Sequence, residues 1–433
     1  MKDSSFEKES YAETLREIYD LQKFGIKFGL NKTENLLARL GNPHKQLNCV
    51  HVGGTNGKGS VAAMLAAVLE KHGFHVGTYT SPHLVRFTER FCINGREILP
   101  QRVVELYRRV KGAMVEGDVP TFFEVTTAMA FDYFAQEKVD WAIIEVGMGG
   151  RLDATNVIVP AVSIITNVSM DHQEFLGTTI TAIAREKAGI IKSGVPVVSA
   201  VKQPAAQAVI KTTCFRKKAE LFLYGSDFRI RKENESTFHY AGIDRIFRDL
   251  GLSLAGEHQK VNAAVALASM EVLERYGMLK IEESKVREGL VDVKWPARAE
   301  VLDTNPTILL DGAHNPAGAE SLKHLLKKNF KYKRLHFVLG IMADKDIKGI
   351  LRRLLPEADT VVFTKPRYVR AADPDYLKKI ARPYVSRFYV IPDVAEAIKQ
   401  AKREADPEDL ICITGSLYFA GEVKELFGEK PDL

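Results

Sequence analysis

The chain has 433 residues, 45% hydrophobic and 27% charged, with a formal net charge of +6. That length points to two or three domains with ample core, and the ordinary balance of apolar and charged residues excludes a disordered or fibrous chain. The small basic excess is spread along the sequence and not gathered in blocks, so nucleic acid is not an expected partner.

In chain order, the opening MKDSSFEKESYAETL is polar and acidic, without the apolar core of a secretory leader. LNCVHV (47–52), WAIIEVG (141–147), AVSIITNV (161–168) and VPVVSAV (195–201) are near-continuous apolar runs, the pattern of strands covered on both faces. Between them SVAAMLAAVLEKHG predicts a helix from near Ser60, ended by Gly73, and TTITAIAREKAGII predicts another. The polar stretch 215–250 reads as a small hairpin excursion, and GEHQKVNAAVALASMEVLERYG as the start of a helix. KWPARAEVLDTNPT (294–307), with Pro296 and Pro306 near its ends, reads as a linker.

Beyond it a second βα series begins: TILLDGAH, a helix from Pro316, LHFVLGIM, DIKGILRRLL, TVVFTK, a helix near 374–382, FYVI, DVAEAIKQAKREA, DLICITGS and a last helix. The expected architecture is therefore α/β. It comprises a parallel-sheet ATPase unit with a phosphate loop, residues 1–296, and a smaller doubly wound, Rossmann-like unit, 297–433, with a cleft between them. Cys49, Cys92, Cys214 and Cys412 are far apart with no CxxC pair, as free thiols of a reducing compartment would be. No apolar run reaches ~18 residues, so no membrane is expected and the compartment is read as the cytoplasm.

Five segments carry chemistry. HVGGTNGKGS places Gly57, Lys58, Gly59 and Ser60 between a strand and a helix, where backbone N–H groups and a helix dipole receive phosphate. It departs from GxxxxGK[ST], because Gly59 stands where Ser or Thr should be and Val52 where the first Gly should be. Glu145 closes an apolar strand, where a carboxylate holds a metal or cation or forms a strand-end salt bridge. Asp171-His172 follows another strand, so either residue can meet a metal or substrate, while Lys187 alone reads equally as a surface lysine. Ser81-Pro82-His83 offers a hydroxyl or simply a turn. Asp311, His314 and Asn315 cluster at a strand-to-helix junction of the second unit, ahead of Pro316.

HVGGTNGKGS, TSPHLVRFTERFCING, TFFEVTT, EVGMGGRLDATN, SMDHQEFLG, IAREKAGI, GEHQKVNAA, WPARAE and DGAHNP occur in an order that resembles folylpolyglutamate synthase/dihydrofolate synthase, within the Mur ligase superfamily. Cell-wall Mur ligases carry GTNGKT at the loop, so Gly59 marks the folate type. The resemblance implies ATP binding by Gly57, Lys58, Gly59, Ser60, Asn262, Arg298 and Asp311. It implies two Mg²⁺ sites, one held by Ser81 and Glu145 and one by His172, beside a carbamylated Lys187. It implies a dihydropteroate or folate site at Thr121, Phe122, Phe123 and Glu124 with Leu152, Asp153 and Ala154. The catalytic group would be Lys58, Lys187 and His172, and the partners ATP, L-glutamate and dihydropteroate or a reduced folate. A monomer is implied too.

The expected activity is ATP-dependent ligation of L-glutamate to dihydropteroate, to reduced folates or to both, through an acyl phosphate. A Mur-type ligase acting on a UDP-sugar peptide and a nucleotide-binding regulator or ATPase are the alternatives.

Overall fold

The computed structural model describes residues 10–25, 29–115, 117–232 and 237–432. Residues 1–9 of the polar opening stretch lie outside the described residues. The first sheet is built from β1 (Cys49–Gly53), β2 (Val76–Tyr79), β3 (Phe91–Ile93), β4 (Arg96–Glu97), β5 (Trp141–Glu145), β6 (Val162–Ile165), β7 (Val197–Ser199) and β8 (Leu221–Leu223). Their order is β4-β3-β2-β5-β1-β6-β7-β8. From β2 to β8 neighbours run parallel, while β3 and β4 turn back antiparallel at one edge. β1, β2, β5, β6 and β7 are buried at every position, which is why their sequences are continuous apolar runs and not alternating ones.

The helix Lys58–Lys71 leaves β1 and is covered by the helices Glu257–Arg275 and Glu283–Asp292. Its Val61, Ala62, Met64, Leu65, Val68 and Leu69 are all buried, so it lacks the polar face of a surface helix. It begins at Lys58, not near Ser60, because Gly57 in a left-handed conformation (φ 84°) serves as its N-cap. The polar 215–250 region holds more than a hairpin. β9 (Arg229–Lys232), β10 (Thr237–Ala241) and β11 (Ile246–Gly251) form a separate antiparallel sheet whose Phe238, Tyr240, Phe247 and Leu250 join the same core.

The second unit carries β12 (Glu300–Thr304), β13 (Thr307–Leu310), β14 (Leu335–Leu339), β15 (Thr360–Phe363), β16 (Phe388–Val390) and β17 (Leu410–Thr414), in the order β12-β13-β17-β14-β15-β16. Only β12 is antiparallel. It overturns part of the linker expectation: irregular chain covers 293–299, and Asn305-Pro306 is the turn of a β12–β13 hairpin. Among the described residues no helix is long and apolar enough to cross a membrane.

The parallel strands of both sheets aim their C-terminal ends at one shared cleft. In open α/β sheets that end is where ligands bind.

Candidate active site

The loop after β1 is drawn tight by glycines and asparagines. Gly54 (φ 143°) passes so close to Thr166 that a Cβ there would lie 1.9 Å from its Oγ1. Asn167 Oδ1 accepts the Asn56 N–H at 3.0 Å, and its Nδ2 donates to Asn56 O at 2.7 Å. The loop is therefore clamped to the end of β6. A Cβ on Gly57 would meet Asn262 Oδ1 at 2.6 Å, and one on Gly59 would meet the Trp295 ring at 2.6 Å. The residue that breaks the general phosphate-loop pattern is thus a glycine because an indole occupies its side-chain space.

Lys58 Nζ donates to Thr55 O at 3.2 Å and stands 3.9 Å from Glu145 Oε1. Glu145 at the end of β5 is buried, and its Oε2 accepts the Ser81 N–H at 3.1 Å. Burial raises its carboxyl pKa, opposed by Lys58, Ser81, Arg298 and Arg90. Ser60 Oγ is buried with no hydrogen-bond partner among the described residues. Lys187 is also buried, with Nζ donating to Gly54 O at 2.8 Å, and burial with the nearby Lys58 charge brings its pKa down to about 7. The reading of Lys187 as a surface lysine is thereby excluded.

The second unit reaches into the same place. Asp171 Oδ1 accepts from Lys345 Nζ at 2.8 Å, and its Oδ2 accepts from Asn315 Nδ2 at 2.9 Å. His314 Nε2 lies 3.5 Å from that carboxylate. Burial opposes ionisation, but His314, Lys345 and His172 hold the Asp171 carboxyl well below the usual range. His172 sits in a left-handed conformation (φ 48°), and burial with Lys345 pushes its pKa down to about 4, which leaves the ring neutral. Arg298 is half-buried near Asp311, whose Oδ2 and Oδ1 accept the N–H groups of Ala299 and Ala313.

A third wall is aromatic. Thr121 caps the helix Phe122–Gln136, and Glu124 Oε2 accepts the Thr121 N–H at 2.7 Å, so these two side chains hold the helix start. That leaves Phe122 and Phe123 facing the cleft, with Tyr19 stacked on Phe122 at 5.8 Å. Asp153 closes the wall, accepting from the Met148 N–H at 2.8 Å and from the Thr155 hydroxyl at 2.5 Å. Since the Thr155 hydroxyl gives its proton to Asp153, His51 Nε2 at 2.9 Å donates to Thr155 Oγ1, and its buried Nδ1 is a bare lone pair without a partner among the described residues.

Asn315, Ala299, Thr155 and His51 stand behind the surface; the other residues named, with Leu152 and Ala154, line one cavity of about 1670 Å³. The Mur ligase middle-domain pattern matches residues 52–270, and the Mur ligase glutamate-ligase-domain pattern matches residues 297–417. The dihydrofolate synthase/folylpolyglutamate synthase of Bacillus subtilis is 36% identical over 426 residues, covering 96% of this chain and 99% of that one. The chain belongs to the dihydrofolate synthase/folylpolyglutamate synthase family of Mur ligases.

Solved family structures agree over nearly the whole length. Mycobacterium tuberculosis folylpolyglutamate synthase, complexed with ADP and AMPPCP, superposes with a TM-score of 0.91 at 35% identity, covering 98% of this chain and 100% of that one. E. coli FolC in complex with DHPP and ADP gives 0.89 at 31% identity, covering 97% and 98%. The fold of the family accounts for the shared cleft. Reading the sequence had not singled out Asn56, Asn167, Lys345 or Arg90 as individual site residues. Lys345 had one usable signal, since it lies in the loop after β14, at the same end of its sheet as the residues already singled out.

Proposed function

We propose that this protein is an ATP-dependent ligase that joins L-glutamate to dihydropteroate, to reduced folates or to both. One observation carries the reading: a clamped phosphate loop, buried acidic and basic strand-end groups and an aromatic wall share a single cavity between two α/β units. A natural division puts the ATP-binding unit in residues 1–296 and the second unit in 297–433. A working monomer is the state that the family resemblance favours, and the free cysteines suit the cytoplasm.

In this reading Gly57, Lys58, Gly59 and Ser60 hold the ATP phosphates, with Asn262, Arg298 and Asp311 positioning the rest of the nucleotide. Phe122 and Phe123 take the flat heterocycle of the acceptor against Leu152, Asp153 and Ala154, with Thr121 and Glu124 fixing that wall. An acceptor carboxylate oxygen attacks the γ-phosphorus, the bond to the β,γ-bridging oxygen breaks, and ADP leaves. The resulting acyl phosphate has a good leaving group where the carboxylate had none. The neutral amine of glutamate attacks its carbonyl carbon, the C–O bond to phosphate breaks, and an amide remains after loss of a proton.

Lys58 lies where it can offset charge on the transferred phosphoryl group. Closure of the two units over the cavity keeps water from the acyl phosphate. The residues fit Mg²⁺: Ser60 Oγ is a buried oxygen with no partner among the described residues, and Glu145 and Ser81, joined through the Ser81 N–H, are hard oxygen donors lining the same cavity. Ser81 and Glu145 would hold one Mg²⁺ and His172, kept neutral, a second. Bound there, Mg²⁺ would neutralise phosphate charge and align the reacting oxygens. Lys187, with its lowered pKa, has the neutral amine that a carbamate needs, and would then present a carboxylate to that centre.

The test is ADP release measured with ATP and Mg²⁺ while acceptor and L-glutamate are added singly and together. Release that needs both supports the ligase. Release indifferent to both would return the reading to a nucleotide hydrolase, and turnover of a UDP-linked peptide would move it to the cell-wall branch. Running dihydropteroate against tetrahydrofolate separates the two synthase activities.

A further inference from the structure

Arg90 ends the short turn Phe87–Arg90 and is only 6% exposed, yet it lines the cavity. Its Nε donates to His83 Nδ1 at 2.8 Å. Because Nδ1 accepts, the His83 ring proton sits on Nε2, which faces Tyr19 Oη at 3.4 Å. Burial and the Arg90 charge keep His83 neutral, so it orients the guanidinium without opposing it electrostatically through a charge of its own. The guanidinium carbon lies 5.1 Å from the centre of the Phe122 ring. Among the described residues no carboxylate lies within ion-pair distance of Arg90, and neither terminal nitrogen has a hydrogen-bond partner. Arg86, four positions earlier, differs: it is paired with Glu97 and Glu429.

Glu145 feels the Arg90 charge only from beyond ion-pair distance. A permanently charged side chain, nine-tenths buried and with no carboxylate in contact, is costly unless an anion arrives to meet it. The opposite wall points to the same place. Tyr418, at the start of the last helix Leu417–Leu426, stacks on Tyr368 at 3.9 Å. Arg370 lies over both rings, at 5.3 Å and 6.0 Å. Burial and the neighbouring Tyr368 raise the Tyr418 phenol's pKa, and the charges of Arg370 and of Arg90 in the other unit oppose that rise. Tyr368, Arg370 and Tyr418 all line the cavity.

We propose that Arg90, in the cavity that Arg370 and Tyr418 also line, forms a subsite for a non-reacting carboxylate of the acceptor, the α-carboxylate of its terminal glutamyl residue. This rests on the ligase reading above. The acceptor is favoured over the incoming amino acid because Arg90 is seated on Phe122, in the wall that takes the acceptor heterocycle, and belongs to the same unit as that wall. The consequence is a built-in discrimination. Dihydropteroate has a single carboxylate, the one that reacts, and leaves this subsite empty, whereas a glutamylated folate fills it.

The experiment uses the full chain with Arg90→Gln and Arg90→Lys, varying tetrahydrofolate monoglutamate, dihydropteroate, L-glutamate and ATP in turn. Dihydropteroate is measured as substrate or as competitive inhibitor. Arg90→Gln is expected to raise KM for tetrahydrofolate by about tenfold or more, the scale of a lost charge-assisted hydrogen bond. KM for ATP and L-glutamate, and KM or Ki for dihydropteroate, should move less than about twofold, with Arg90→Lys recovering part of the loss. Without ligand, Arg90→Gln should unfold at or above the parent temperature, since it removes an unpaired buried charge; a purely structural arginine would lower it. A rise shared equally by dihydropteroate, a rise confined to L-glutamate, or no change would each overturn the proposal while the parent remained a ligase. A parent that releases no ADP in response to acceptor and glutamate would instead remove the reading beneath it.

Discussion

Asn56 and Asn315 exchange two side-chain hydrogen bonds across the cleft, from Asn315 Nδ2 to Asn56 Oδ1 at 2.8 Å and from Asn56 Nδ2 to Asn315 Oδ1 at 3.1 Å. Asn56 belongs to the phosphate loop and Asn315 caps the helix Pro316–Asn329, its Oδ1 also accepting the Gly318 N–H at 2.8 Å. The phosphate loop of one unit is thus tied to a helix start of the other.

Replacing Asn315 with Ala removes a cap, the amide pair and the bond to Asp171 together. A stability loss of about 1–3 kcal/mol is expected from those terms, with a fall in turnover. Asn315→Asp keeps the cap but sets a second carboxylate against Asp171, so turnover should fall further than stability. Denaturant unfolding and ADP release measure the two effects. Full activity in Asn315→Asp would show that the tie between the units has no part in the reaction.

Ser60→Ala separates binding from folding. The Ser60 hydroxyl is buried without a partner, so its loss should leave the unfolding midpoint unchanged or slightly raised. Mg²⁺-dependent turnover should drop by about tenfold or more if the hydroxyl meets metal or phosphate. Parent-like turnover across a Mg²⁺ titration would withdraw that role.

His51 supplies a pH signature. Burial and the nearby Lys192 push its pKa down to about 3 from the ordinary 6.5. Between those values the unfolded chain binds a proton that the folded chain does not, so stability falls as pH drops below 6.5. The slope contributed approaches about 1.4 kcal/mol per pH unit. His51→Gln retains a donor for Thr155 but cannot titrate, so its curve of stability against pH should be flatter than the parent's by that slope below pH 6.5. Parallel curves would mean that His51 is not held neutral.

Lys187 is the remaining test. Lys187→Ala should lose about 100-fold in turnover, with partial recovery in formate or acetate, if a carbamate supplies a carboxylate near the metal. Isotopically labelled carbonate should give a carbamate signal in the parent and none in the variant. No signal in the parent would end the carbamate proposal.

How much of this was legible in the sequence follows from the range of each interaction. The strands through Val50, Ile143, Ile164 and Val198 announced themselves because both faces are buried, and their C-terminal ends named Glu145 and Asp171 in advance. The helix start moved by two residues because Gly57 could cap where no side-chain cap was visible. β12 was hidden in a supposed linker since an exposed edge strand has no continuous apolar run. Asn56–Asn315 spans 259 positions and Lys345–Asp171 spans 174, and no local pattern encodes such pairs. Arg90 was hidden for a different reason: its meaning is the partner it lacks, which only the packed neighbourhood reveals.

The contact between Gly59 and Trp295 has an optical consequence. The chain has two tryptophans, and Trp141 is buried in β5 against Phe74, remote from any change of ligand charge. Trp295 lies with its indole on the first turn of the phosphate-loop helix, just before the segment that joins the units. Phosphate entering the loop brings negative charge to that indole, and the proposed closure of the units would move its flank. The glycine that departs from the general motif thus leaves the protein with a built-in fluorophore for nucleotide capture, readable without any label.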